Sequence, residues 1–349
     1  MSYLLIIGGL ILLFAGGEAL VRGSVGVARR LGVSELVIGL TLVGFGTSVP
    51  ELVTSLRAVG QDAAGLSVGN VAGSNIANVL LVLGAAAAIR PIVTHPAALV
   101  RDFSCMVLAT AVFLFVVYYD IFTQLSGAVM LTFLIAYIAG SFLLDRRESA
   151  ASAMHAEEGE IIETDDTLPF AMFLSLVGLA GVIIGARLLV TGGIDVARGL
   201  GVSETVIGLS IVAIGTSLPE LATTGMSALR GKSDVALGTV LGSNIFNALG
   251  IIGVTAIVHP FTLTTIRGTG TGGQAGAFDY GDALRNGGTA LEGGAGLTWT
   301  DVSALILSVF FIILFAFTGR RLARTEGFIM LAAYVLYLSL VFKLIPTPF

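Results

Sequence analysis

The sequence predicts an all-α polytopic membrane protein: ten transmembrane helices, arranged as two inverted five-helix repeats with broken helices at the bilayer midplane. Three observations carry this. The 349 residues are 55% hydrophobic and 12% charged, with a mean hydropathy of +0.97. Soluble domains carry about 25% charged residues, so a chain this apolar lacks the polar coat that water requires. Residues 33–91 align without a gap onto 202–260 at a constant offset of 169, with 26 identities in 59 positions. Each half holds five apolar runs, an odd number, so the second half enters the membrane upside down relative to the first.

The runs in the first half are 3–21, 34–57, 66–89, 99–119 and 125–144. Those in the second are 168–190, 203–229, 234–258, 301–319 and 326–345. At about 20 residues per spanning helix the chain has room for roughly ten. The first repeat thus covers 1–144, an acidic cytoplasmic linker 145–167, and the second repeat 168–349, which includes an external Gly-rich loop over 262–300. The run Tyr3 to Phe14 has no Lys or Arg before it, unlike a secretory signal, and matches an internal helix. It is expected to be a retained first span. Lys and Arg sort twelve to six between alternate loops, with Arg57, Arg187, Arg198, Arg267, Arg285 and Lys343 on the poorer side. The positive-inside rule then places both termini outside a cell (inner) membrane.

Charge and cysteine content exclude other classes. A net charge of −5 gives no basic footprint for nucleic acid. Cys105 is the single cysteine, which rules out an intrachain disulfide and a cysteine metal cluster.

The chemistry concentrates in two duplicated motifs. Gly46-Thr47-Ser48-Val49-Pro50-Glu51-Leu52 recurs as Gly215-Thr216-Ser217-Leu218-Pro219-Glu220-Leu221. Glu51 and Glu220 lie inside long apolar runs, where an ionised side chain costs about 2.5–3.5 kcal/mol even on lenient scales, so each marks a functional site. The plainer alternative is a protonated Glu hydrogen bonded within the bundle. Pro50 and Pro219 lack an N–H and displace the carbonyl four residues earlier, that of Gly46 or Gly215. The break leaves carbonyls unpaired beside Thr and Ser hydroxyls and a carboxylate, all oxygen donors of the kind hard cations collect. Gly73-Ser74-Asn75-Ile76-Ala77-Asn78 recurs as Gly242-Ser243-Asn244-Ile245-Phe246-Asn247. Ser74 and Asn78 share one helix face, as do Ser243 and Asn247; Asn75 and Asn244 point elsewhere and read as structural. The alternative for the whole segment is close helix packing through small residues.

These paired GTSxPEL and GSNxxN motifs resemble the two alpha-repeats of the calcium/cation antiporter superfamily, above all its prokaryotic sodium/calcium exchanger branch. The resemblance covers all ten runs and leaves out the two polar loops. It implies a secondary-active antiporter, not an enzyme, that exchanges Ca²⁺ for Na⁺ by alternating access, through sliding of the first and sixth spans past a rigid core. It implies no resident cofactor, and a chain working as a monomer in the lipid bilayer. It implies that Glu51 and Glu220 hold Ca²⁺, that Thr47 and Thr216 add carbonyls, and that Ser48, Ser74, Ser217, Ser243, Asn78 and Asn247 serve flanking Na⁺ sites. The chain departs at Asn247, where some sodium-coupled relatives carry aspartate. With two carboxylates instead of three, several Na⁺ would leave excess positive charge, so H⁺/Ca²⁺ antiport stands as the alternative. A cation channel and an intramembrane hydrolase are further readings. The channel lacks the usual oligomeric pore; the hydrolase motif Gly281-Asp282 falls in a polar loop.

Other features read as structural. The acidic run from Glu157 to Asp166 lacks EF-hand spacing. The Gly268–Gly276 stretch lacks the Lys-Ser/Thr of a P-loop. His95, His155 and His259 have no counterparts at the 169 offset. Glu35 and Glu204, after Ser34 and Ser203, fit helix N-termini, while Glu18 and Arg187 sit near opposite membrane faces and do not pair with each other.

Overall fold

The computed structural model describes residues 1–93, 96–155, 167–200, 215–263, 297–319 and 321–341. Helices dominate it. They are α1 Ser2–Leu31, α2 Glu35–Thr47, α3 Val49–Gly60, α4 Ala64–Ile89, α5 Pro96–Tyr118, α6 Gln124–His155, α7 Leu168–Gly199, α8 Leu218–Leu229, α9 Ser233–Val258, α10 Trp299–Gly319 and α11 Arg324–Val341. Seven of them are long and apolar enough to cross a membrane: α1, α4, α5, α6, α7, α9 and α11. The pair α2 and α3, bent by 43° at Ser48, is long and apolar enough only when taken together, and α10 contributes the shorter apolar helix Thr300–Leu314. The expected span 203–229 lies partly outside the described residues, as do Ser203, Glu204, the acidic run 157–166 and the Gly-rich loop.

Several helices outrun the apolar stretches that predicted them. α1 continues past Val21, through two arginines in its last turn, to Gly32, whose left-handed backbone (φ 67°) suits a residue without Cβ. α7 likewise runs to Gly199, and α6 reaches His155, into the stretch expected as linker. Hydropathy marks the lipid-embedded portion, whereas backbone hydrogen bonding carries a helix on into the interface.

α1 and α7 lie against each other along their lengths, antiparallel. A methyl group on Gly9 would meet Leu189, on Gly16 Val182, and on Gly23 Ser175, so rising numbers in α1 meet falling numbers in α7. Backbone approaches this close need glycine on the seam, and small residues are what lipid-embedded helices use to associate. The outer faces of both helices carry exposed apolar side chains such as Ile7, Ile11, Phe14, Phe173 and Ile184.

The third long helix of each half packs on the last helix of the other half. Gly84 on α4 meets Gly327 on α11, and Gly253 on α9 meets Gly127 on α6, the two contacts being related by shifts of 169 and 200 residues. The same shifts relate two clips at opposite ends of the bundle. At one end β1 Ile92–Val93 pairs antiparallel with β2 Arg321–Leu322; at the other, Phe122 bridges Phe261, their rings stacked 4.3 Å apart. Two further contacts recur between the halves at shifts of 199 and 200 residues: Tyr137 donates to Asp102 (3.0 Å), and Tyr337 donates to Asp301 (2.8 Å).

Polar contacts sort to the two ends. Lys232–Glu35 (2.7 Å) and Arg230–Glu18 (2.6 Å) join the start of α9 and the end of α8 to α2 and α1. At the same end Ser34 N–H donates to Asp145, and Arg324 donates to the Ile89 carbonyl. At the far end Leu263 N–H donates to Asp120, Gln124 to the Ile257 carbonyl, and Ser2 to Asp195.

Candidate functional site

The site forms where the break between α2 and α3 and the start of α8 meet the middles of α4 and α9. Ser48 occupies the break between α2 and α3, and Ser217 precedes α8, with nearly identical backbones (φ −85°, ψ 4° and φ −89°, ψ 5°), each followed by proline within the first turn of the helix it caps. Such a turn is what a proline two residues on imposes, since Gly46 and Gly215 have no N–H at the position four residues later to bond. Glu51 and Glu220 therefore stand in the first turns of α3 and α8, at the positive ends of helix dipoles. The carbonyl end of α2 points into the same break, the negative end that suits a cation.

Both carboxylates are 1% exposed and are close enough for their charges to interact. Ser48 Oγ donates to Glu220 Oε1 (3.2 Å), and the Thr47 hydroxyl also reaches that carboxylate while donating to the Gly44 carbonyl (3.2 Å). Ser243 Oγ crosses from α9 to the same Gly44 carbonyl (2.9 Å). Oε2 of Glu51, Oε2 of Glu220, Oγ of Ser217, Oδ1 of Asn78 and both amide atoms of Asn247 are buried and make no hydrogen bond. Ser74 is buried one turn before Asn78, and Thr216 is half-buried beside the second break.

Two carboxylates held this far from water cannot both stay ionised without a compensating charge. Among the described residues no ion pair is made with either, and no group of three or more His, Cys, Asp or Glu is present. A cation fits the orphaned oxygens: their charge sums to −2, and the neutral hydroxyl, amide and carbonyl oxygens around them fill out a hard-ion shell.

Some features had no signal in the sequence reading. Asn70 on α4 donates to Ser55 Oγ (3.0 Å) and to the Glu51 carbonyl (3.3 Å), tying α3 to α4, while its repeat equivalent is Thr239. α4 and α9 each loosen into a π-helical stretch, Asn78–Leu83 and Phe246–Ile251, beginning at or just before the asparagine of the second motif. Such bulges concentrate at functional sites. Glu18 pairs with Arg230, a partner its repeat position did not suggest. Cys105 is buried and free.

A family model described as sodium/calcium exchanger protein matches residues 1–143 and 170–343. The chain belongs to the sodium/calcium exchanger family. It is 30% identical over 98% of its length to the sodium/calcium exchanger MaX1 of Methanosarcina acetivorans, covering 98% of that protein. It is 33% identical to the inner membrane protein YrbG of Escherichia coli, over 73% of this chain and 79% of the other. Solved structures of the sodium-calcium exchanger NCX_Mj superpose with a TM-score of 0.75 at 28% identity, covering 97% of this chain and 98% of that one. The present exchanger is accordingly a multi-span membrane transporter of cations.

Proposed function

We propose that the chain is a secondary-active antiporter that exchanges Ca²⁺ for Na⁺ by alternating access. One observation carries the proposal: two buried glutamates at repeat-related positions just after Ser48 and Ser217, near enough for their charges to interact, among buried oxygens without partners. Ca²⁺ would be held by Glu51 and Glu220 with carbonyls near Thr47 and Thr216. Na⁺ would draw on Ser48, Ser217, Ser74, Ser243, Asn78 and Asn247. The names of MaX1 and NCX_Mj support sodium and calcium as the ions.

The architecture behind this reading is ten spans in two inverted repeats, the working unit a monomer. The antiparallel run of α1 and α7, which begin the two halves, supports the inversion, as do the contacts that recur at shifts of 169 and 200 residues and the tyrosine–aspartate contacts that recur at 199 and 200. Arg29, Arg30, Arg90, Arg230, Lys232, Arg321 and Arg324 gather at one end of the bundle, which supports that end as cytoplasmic and both termini as outside. The likeness to YrbG supports the inner membrane as location.

Proton coupling is the second reading. Asn247 favours it, because a site with two carboxylates is neutralised by one Ca²⁺ or by two protons. The deciding experiment is ⁴⁵Ca²⁺ uptake into proteoliposomes, driven in turn by an outward Na⁺ gradient and by a pH gradient, with the native chain and with Glu51→Gln. Uptake on the Na⁺ gradient, abolished by Glu51→Gln, is the expected result. Uptake on the pH gradient alone would transfer the protein to the proton-coupled reading. A gradient-independent leak, or uptake indifferent to Glu51→Gln, would overturn antiport at this site.

A further inference from the structure

Asn75 and Asn244 are repeat equivalents, 169 residues apart, and they meet across the centre of the molecule. Asn75 Nδ2 donates to the Asn244 main-chain carbonyl (3.1 Å), and Asn244 Nδ2 returns the bond to the Asn75 carbonyl (3.3 Å). This exchange stitches α4 to α9 one turn before their π-helical stretches. The symmetry then fails. Asn244 Oδ1 accepts from Asn78 Nδ2 (3.1 Å), whereas Asn75 Oδ1, which in a symmetric arrangement would accept from Asn247, has no partner, and neither has Asn247. All four residues are at most 3% exposed, so the asymmetry lies inside the protein and not at its surface.

An asparagine amide offers a donor end and an acceptor end, and whichever end is engaged dictates what the other presents. With its NH₂ fixed on Asn244, Asn78 turns Oδ1 away as a ready-oriented oxygen. Asn247 has no such tether, so the two asparagines, equivalent in sequence, are not equivalent in the site. We propose that Asn244 is a positioning residue that holds Asn78 as a fixed cation-facing oxygen donor, while Asn247 has no corresponding guide. The inference rests on the reading of Asn78 as part of the ion site. It concerns a residue that touches no ion itself and acts only through its neighbour.

The test is equilibrium ⁴⁵Ca²⁺ binding to the full chain in detergent, with and without Na⁺ as competitor. The variants are Asn78→Ala, Asn244→Ala, the double variant and Asn75→Ala, with melting temperature recorded for each. Asn78→Ala is expected to weaken one of the two ion affinities about fivefold, the scale of one buried hydrogen bond. Asn244→Ala should shift the same constant by the same factor within twofold, and the double variant should bind no worse than Asn78→Ala alone. Asn75→Ala removes one of the two stitching bonds, that from Asn75 Nδ2, but leaves the Asn78–Asn244 bond, so its ion affinities should stay within twofold while its melting temperature falls.

Multiplying effects in the double variant would overturn the proposal, as would an Asn75→Ala variant as impaired in binding as Asn244→Ala. Either would reduce Asn244 to a packing residue. If Asn78→Ala shifts neither affinity, what fails is the assignment of Asn78 to the site. Should Asn244→Ala not assemble, Asn244→Ser serves in its place, since a serine hydroxyl can satisfy itself on the carbonyl four residues back in its own helix.

Discussion

Replacing Gly16 with alanine tests whether the backbone contact between α1 and α7 is a determinant of the structure. The added methyl would lie 2.7 Å from Val182 N and 2.9 Å from the Gly178 oxygen and the Gly181 carbonyl carbon. All three are main-chain atoms, so no side chain can rotate aside, and the helices must part until these separations approach 3.4 Å or more. Overpacking of this kind costs about 1–3 kcal/mol. Alanine in place of helical glycine also gains about 1 kcal/mol of propensity, which would mask part of the loss. Gly8→Ala removes that ambiguity: it lies in the same helix, and nothing stands within 4 Å of its added methyl. The difference between the two variants isolates the seam at about 1–3 kcal/mol, equivalent to roughly 1–4 °C in melting temperature for a chain of this length. Thermal unfolding of the two in the same detergent gives the number, and ⁴⁵Ca²⁺ exchange rates show whether the seam also matters to turnover. A Gly16→Ala protein as stable as Gly8→Ala would refute the reasoning.

Three other outcomes follow from the same contacts. Pro50→Ala restores an N–H that can bond Gly46, so the break should begin to close: exchange is expected to fall at least about tenfold in the proteoliposome assay while melting temperature holds or rises. Tyr137→Phe and Tyr337→Phe each remove one donor from a half-buried contact, and each should cost about 1–2 kcal/mol by thermal unfolding. The two losses should agree within about 1 kcal/mol, because Asp102 keeps Arg101 and Asp301 keeps Thr298. Glu18→Gln, in contrast, should change stability by no more than about 0.5 kcal/mol, since the side chains of Glu18 and Arg230 are 37% and 58% exposed. Any effect it has should vanish in high salt.

Much of this was legible in the sequence because two signals are strong there: hydropathy over long windows and exact repetition of chemistry. The apolar runs predicted helices, and Pro50 predicted a break that the structure places at Ser48, while the helix expected before Pro219 lies largely outside the described residues. Glu51 and Glu220 stood out because a carboxylate in an apolar run needs a reason. The contacts between helices were not legible. Asp102 and Tyr137 recur as Asp301 and Tyr337, but the recurrence is offset by 199 and 200 residues instead of 169, because the polar insertion before α10 shifts the register. Asn70 gave no signal, since its equivalent Thr239 bonds its own helix. Asn75 and Asn244 carry only a structural signal in the sequence, because the bond that Asn78 donates to Asn244 depends on how α4 and α9 lie against each other, which no local pattern encodes. The π-helical stretches likewise arise from tertiary packing and have no composition of their own.

The arrangement of the last helices makes the halves hostages to one another. α6 belongs to the first half but covers α9 of the second, and α11 returns the favour on α4, with a backbone clip at each end of the exchange. Neither half therefore possesses a complete surface of its own. Synthesised alone, it would offer an uncovered glycine face where the other's arm should lie. The two halves are expected to mature together, and a cut between α6 and α7, after His155, should leave the interlocked body in one piece.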